Sequence, residues 1–310
     1  MTQFLQQMVN GIVLGATYGL IALGYTMVYG IIQLINFAHG EIFMVGAFAG
    51  LFTFARLPTA LQTRPLLALP LVIVSAVVVS VTTSLLVERL AYRPLRRASR
   101  LAPLITAIGV SIALQELVRL FYPLPDGRLG AKSPVSFPRL VNGPPVDLGG
   151  VTIARVSLFV VAVAIVLMLG LQAFVRTTRT GKAMRATAQD PDTAKLMGID
   201  TDKIIVITFA IGAALAGIAG VMQGMRFVQI DFRIGFIAGL KAFTAAVLGG
   251  IGNITGAVLG GFVLGIVEVM ATQYVPKGSQ WKDVWAFVVL IAVLVFRPSG
   301  LLGERVATRA

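Results

Sequence analysis

The chain has one histidine, His39, and no cysteine. Thiolate nucleophiles, disulfides and Cys- or His-rich metal sites are therefore excluded. The other side chains able to do chemistry stand in apolar surroundings. Gln33, Asn36, His39 and Glu41 fall in one short stretch. Gln115, Glu116 and Arg119 interrupt a second apolar run, and Lys241 and Glu268 stand singly in two more. Ionisable groups in such runs face a bundle interior or a water-filled path. Glu116 and Arg119, three apart, can pair on one helix face. Read as helix, Asn36, His39 and Gly40 share a face and Glu41 points elsewhere. His39 then has two readings, a proton carrier or a hydrogen-bonded structural residue. Lys241 and Glu268 are candidates to pair across a glycine-rich connection. No nucleotide site accompanies them. Gly181-Lys182 lacks the upstream glycine of a phosphate-binding loop and is followed by Ala183, and the glycines at 249–256 miss the dinucleotide spacing. No nucleophile elbow and no HExxH zinc motif occurs, so any ATP used is expected on another chain.

What must position these residues follows from composition. Of 310 residues, 57% are hydrophobic and 13% charged, and mean hydropathy is +0.88. A soluble domain carries about a quarter charged residues, and no fold of this size hides so much apolar surface from water. The solvent is a bilayer. The net charge of +13 does not indicate nucleic acid, because the basic residues lie in loops between apolar runs, where they set membrane orientation. Residues 1–7 hold no Lys or Arg, so a cleaved leader is not expected.

A hydrocarbon core of roughly 30 Å takes about 20 residues of helix. Apolar runs lie at 8–29, 31–54, 66–87, 101–122, 153–175 and 204–225, with further pieces at 236–249, 253–271 and 281–296. The expectation is an all-α polytopic bundle of eight to nine membrane segments. The pieces 236–249 and 253–271, separated by Gly249-Gly250-Ile251-Gly252-Asn253, are either a hairpin of spans or a broken, re-entrant pair. Loop 88–100 contains Arg89, Arg93, Arg96, Arg97 and Arg100, and segment 176–203 contains six basic residues. Both are predicted cytoplasmic. The N-terminus and loop 123–150 are then external, and the tail 297–310, with Arg297, Arg305 and Arg309, is cytoplasmic. Trp281, Trp285 and Tyr274 suit an outer interfacial belt.

Small residues recur every fourth position at Gly11/Gly15/Gly19, Ala216/Gly220/Gly224 and Gly252/Gly256/Gly260, the spacing that lets helices approach closely in lipid. Loop 123–150, with six prolines and five glycines, is either an irregular outer cap or a disordered connector. Within 176–203, Asp190-Pro191 is a helix start. Ala194, Leu196 and Met197 follow, and Gly198 sits at the C-cap position. This short helix lies outside the membrane, with Leu196 and Met197 either tucked against the bundle or offered to a partner.

Three stretches carry a family resemblance. Gly19-Leu-Ile-Ala-Leu-Gly-Tyr-Thr-Met-Val-Tyr-Gly30 running into Ile35-Asn-Phe-Ala-His-Gly-Glu41 resembles the N-terminal signature of branched-chain amino acid ABC-importer permeases of the LivH type. So does Lys241-Ala-Phe-Thr-Ala-Ala-Val-Leu-Gly-Gly-Ile-Gly-Asn253 with Gly256 and Gly260-Gly261. Arg185-Ala-Thr-Ala-Gln-Asp190 through Ala194-Lys-Leu-Met-Gly-Ile199 looks like that family's ATPase-contacting loop, although Ala186-Thr-Ala188 stands where a better-known coupling motif has Glu-Ala-Ala. The resemblance spans the chain and implies a single permease domain, 1–310, in a bacterial inner membrane, with no catalytic residue and no cofactor. Implied partners are a second, LivM-like permease chain, two ATPase chains holding ATP and Mg, a periplasmic binding protein and membrane lipid, but no nucleic acid. Arg185, Asp190, Ala194, Leu196, Met197 and Gly198 are the implied coupling residues. Asn36, His39, Glu41, Lys241, Gly249, Gly250, Gly252 and Asn253 are candidates for path or packing. Permeases for urea or amides share the motifs. An ion-coupled secondary transporter would use Glu41, Glu116 or Glu268, and a lipid-modifying enzyme lacks its constellation here.

Overall fold

A computed structural model describes residues 1–32, 36–95, 98–99, 101–297 and 299–303. Gln33, Arg96, Arg97, Arg100, Arg305 and Arg309 lie outside them. The class is all-α and polytopic. The helices are α1 (Thr2–Ile32), α2 (His39–Arg56), α3 (Thr59–Gln62), α4 (Pro65–Val87), α5 (Leu101–Phe121), α6 (Arg155–Thr177), α7 (Arg179–Gln189), α8 (Pro191–Leu196), α9 (Thr201–Phe227), α10 (Ile234–Gly249), α11 (Ile254–Tyr274) and α12 (Lys282–Phe296). Among the described residues, six helices are long and apolar enough to cross a membrane: α1, α4 with its extension to Leu95, α5, α6, α9 and α11. α2, α10 and α12 are shorter, at 18, 16 and 15 residues.

α1 is apolar around its whole circumference, and its most hydrophobic window is 94% buried, against 28%, 17% and 22% for α4, α5 and α6. A helix without a polar face belongs in the centre. α1 is therefore the axis, and α4, α5 and α6 present apolar side chains outward. Glycine sets the central contact. A Cβ at Gly11 would lie 2.7 Å from the Ile266 Cα, and one at Gly15 2.5 Å from the Phe262 Cα; from the other side, one at Gly261 would lie 2.5 Å from the Gly19 nitrogen. α1 and α11 thus meet backbone to backbone. Gly256 and Gly260 do the same against the backbone of Gly249 and Ala245 on α10, while Gly220 and Gly224 accept Ala47 and Phe137. Gly252 departs from its row. Its φ of +89° places it in the α10–α11 turn.

Several boundaries differ from expectation. The run 31–54 is not continuous helix: Asn36 precedes α2, which begins at His39, so the two do not share a helix face. The run 66–87 continues through a π-turn at Glu88–Tyr92 and a 3-10 turn at Arg93–Leu95. Glu88 and Tyr92 are both buried, and packing carries the helix past a charge where composition marked an end. Segment 176–203 holds a helix the sequence reading missed. α7 starts at a Thr178 cap that accepts from the Gly181 N–H at 3.0 Å and buries only Gly181, Met184 and Thr187, too narrow a stripe for a hydropathy signal. Loop 123–150 is an ordered cap. β1 (Val135–Ser136) pairs antiparallel with β4 (Gln229–Ile230), β2 (Val146–Leu148) with β3 (Val151–Ile153), and Phe137 and Leu140 are buried beneath. Gln6 ties the N-terminus to this cap, donating to the Thr152 carbonyl at 3.0 Å and accepting from its N–H at 2.8 Å.

Candidate functional site

The candidates for path or packing fall at three places. The first lies where α2 meets α1, α5 and α10. Glu41 is fully buried, and its Oε1 accepts from Ser111 Oγ at 3.0 Å and Gln115 Nε2 at 2.8 Å. His39 is buried edge-on to the Tyr25 ring, with centroids 4.7 Å apart, and Asn36 Oδ1 accepts from the Tyr92 hydroxyl at 2.7 Å. Small residues make room here. A Cβ at Gly40 would overlap the Gly235 backbone, and one at Gly24 would overlap the His39 ring. Among the described residues, the Glu41 Oε2, His39 Nε2 and Tyr25 hydroxyl make no hydrogen bond.

The second place is the turn Gly249–Asn253. Asn253 caps α11 by accepting from the Gly256 N–H at 2.9 Å, and it donates to the Leu302 carbonyl at 2.9 Å. The segment 299–303 lies against the end of α10, its Leu301 and Leu302 N–H groups donating to Leu248 and Gly249 at 2.8 and 2.9 Å. Gly250, at φ +106°, has the Gly303 backbone where a side chain would go. These glycines build a tight, capped corner.

The third place holds Lys241. It is buried, and its Nζ lies 2.7 Å from Glu268 Oε1 and 2.6 Å from Asp283 Oδ1. It also donates to the Tyr18 hydroxyl at 3.2 Å, and that hydroxyl donates to Glu268 Oε2 at 3.0 Å. The expected Lys241–Glu268 pair forms across α10 and α11. Tyr18 and Asp283 were not anticipated. Tyr18 is hidden by the apolar run around it, whereas Asp283, an acidic residue opening the last apolar run, was a usable signal. The cluster floors a 560 Å³ cavity lined by residues from both ends of the sequence, among them Leu14, Arg226, Ile237 and Val269. Asp231 and Arg233 of the α9–α10 connection, Thr272 and Gln273 at the end of α11 and Lys282 at the start of α12 also line it, at the end of the bundle where Gln6 meets Thr152 of the β2–β3 cap. Glu116 and Arg119 pair with each other at 2.7 Å on α5, apart from this cavity.

At the opposite end, α7 and α8 form a protruding elbow. Asp190 caps α8 by accepting from the Asp192 and Thr193 N–H groups at 3.0 and 3.1 Å. The Thr193 hydroxyl and N–H, with the Asp192 N–H, hold the Asp190 carboxyl below the usual carboxylate range. Ala194 is buried and Arg185 exposed. Gly198, at φ +83°, turns the chain out of the helix. Leu196 and Met197 are 88% and 78% exposed, so they do not tuck against this chain's bundle.

The family model described as branched-chain amino acid transport system / permease component matches residues 7–294. The chain is 46% identical to the high-affinity branched-chain amino acid transport system permease protein BraD of Pseudomonas aeruginosa, with 97% of this chain and 96% of that one covered. It is 45% identical to the LivH permease protein of the corresponding Escherichia coli K12 system, with the same coverage. A probable branched-chain amino acid transport permease, LivH of Methanocaldococcus jannaschii, is 30% identical over 92% of this chain and 88% of its own length.

Proposed function

This chain belongs to the family of branched-chain amino acid transport permease components, and from that premise we propose that it is the membrane subunit through which an ATP-driven, binding-protein-dependent importer moves branched-chain amino acids. The observation that carries the coupling half of this reading is the α7–α8 elbow, a capped helix displaying Leu196 and Met197 to water. Two exposed apolar side chains at the end of a rigid element are what a groove on a partner recognises, since a few buried anchors carry most of an interface's energy. In this reading the partner is an ATPase chain, and Arg185, Asp190, Ala194 and Gly198 shape and orient the elbow. ATP and Mg belong to two such chains. A related second permease chain completes the path, and a periplasmic binding protein delivers the amino acid to the cavity end.

The same reading makes residues 1–310 one permease domain. Its N-terminus and residues 123–150 are outside, its elbow and C-terminus are in the cytoplasm, and it has nine crossings, with α10 and α11 as a hairpin around Gly249–Asn253. Transport proceeds by alternating access, driven mechanically from the elbow. The test is uptake of L-leucine by the chain co-reconstituted with its partner chains. Uptake should need ATP and survive collapse of the proton gradient. Uptake abolished by that collapse while ATP is maintained would assign the chain to ion-coupled transport instead, and import of urea or an amide without leucine would change the substrate class.

A further inference from the structure

We propose that the Lys241–Glu268–Asp283 cluster is a subsite for the zwitterionic head group of an aliphatic α-amino acid, whose side chain lies on the aliphatic wall of the same cavity. The inference rests on the permease reading and adds where in this chain the substrate is held. The ion cluster is unequal in a way that suits exchange. Lys241 and Glu268 side chains are 5% and 7% exposed, whereas that of Asp283, on the first turn of α12, is 43% exposed. Glu268 is therefore the permanent counter-ion, and Asp283 is the one that water or a ligand can reach. A substrate carboxylate can take the place of Asp283 at the Lys241 ammonium, and the substrate ammonium is then met by the released Asp283 carboxylate. No charge is left buried without a partner, which is the costly outcome. An anion or a cation alone satisfies only half of this exchange.

Two further observations fit the same ligand. Arg226 and Gln223 also line the cavity, and Arg226 Nη1 and Gln223 Oε1, both buried, make no hydrogen bond among the described residues, so a small side-chain rotation toward the cavity gives each a partner in the ligand. Leu14, Ile234, Ile237 and Val269 line the cavity as well, an apolar surface for a branched side chain. The volume of 560 Å³ falls in the range of small-molecule sites.

The chain has no cysteine, so a single Ile237→Cys, on the half-exposed wall, reports occupancy without touching the charges. In the purified complex, L-leucine should slow alkylation of this cysteine. Isocaproate, which lacks the ammonium, and isoamylamine, which lacks the carboxylate, should not. Adding Asp283→Asn should remove the protection and lower leucine uptake by about tenfold or more, as for a lost partner of a desolvated charge; Asp283→Glu should restore both. Protection by isocaproate equal to that by leucine would overturn the head-group assignment. So would a complex that imports leucine with no protection at all, or Asp283→Asn with native uptake and protection. A native complex that imports no branched-chain amino acid fails the functional reading instead, and the subsite is then judged by the alkylation rates alone.

Discussion

Lys241 illustrates how a charge survives inside an apolar bundle. Its ammonium has two carboxylates and a hydroxyl within 3.2 Å, and of these the buried Glu268 depends on it in turn. Removing the cation alone leaves the buried Glu268 uncompensated, a loss of about 3–5 kcal/mol for buried pairs. Lys241→Met should therefore lower the thermal stability and membrane abundance of the folded chain. Lys241→Met with Glu268→Leu removes both charges at once and should recover most of the loss, because Asp283 is exposed enough to hydrate. Unfolding of the three chains in one detergent checks this; a single variant as stable as the native chain would deny the pair its buried character. Glu41 obeys the same logic without a cation. Glu41→Leu orphans the buried Ser111 donor, at about 1–3 kcal/mol for a buried unpaired group, while the part-buried Gln115 amide keeps Ser111 Oγ at 3.4 Å; Glu41→Gln retains an acceptor and should be milder in the same assay.

At the scale of elements, close helix contact and helix capping do most of the positioning. Gly256 meets the Gly249 carbonyl, with no room for a Cβ, so Gly256→Leu should force α10 from α11, and with it Lys241 from Glu268. Complex assembly and leucine uptake should both fall, and native values in both would remove the case for this face. The elbow depends on Asp190. Its carboxyl is held below the usual range, so its contribution to the cap is complete above the unfolded carboxylate pKa of about 3.9 and is lost only as pH falls through the lower folded value. Asp190→Ala should speed amide hydrogen exchange across 191–197 at neutral pH, while Asp190→Asn, still an acceptor, should leave it near native. How much of this could be read from the chain depends on what the solvent enforces. Spans were legible because lipid demands apolar runs, and the Asp190-Pro191 start and the Gly198 stop are local signals. α7 was not legible, because it buries only one narrow stripe. The continuation of α4 to Leu95 depends on burial of Glu88 and Tyr92, and the Phe137 anchor of loop 123–150 depends on Gly224 in α9, a tertiary contact with no local trace. The Lys241–Glu268 pair is legible from opposite charge in two apolar runs and forms; Tyr18 and Asp283 join it from α1 and α12, far apart in sequence.

For the whole molecule, the cavity and the elbow lie at opposite ends of the bundle, and the functional reading needs the cavity outside and the elbow within the cytoplasm. In that reading the basic residues set the orientation, since short loops rich in Arg and Lys stay cytoplasmic. Arg89 and Arg93 lie at the elbow end, beyond the long α4, and the six basic residues of 176–203 lie at the same end. The opposite end carries the proline-rich cap and the cavity-lining residues Arg226, Asp231, Arg233, Lys282 and Asp283, of mixed sign. Two exposed positions on short stretches separate the alternatives. Ser136 is on the exposed side of β1 in the cap, and Ala98 is exposed beyond the end of α4. With no native cysteine to interfere, Ser136→Cys should react with a membrane-impermeant thiol reagent in cells whose outer membrane has been permeabilised, and Ala98→Cys should react only after the inner membrane is opened. The Leu196→Asp, Met197→Asp double variant then connects topology to coupling. Inserted normally and labelled normally at position 136, it should lose ATPase co-purification or leucine uptake, because two carboxylates cannot enter an apolar groove unpaired. The reverse labelling pattern would put the elbow outside, where no ATP-binding chain can reach it, and would end the coupling assignment whatever the double variant does.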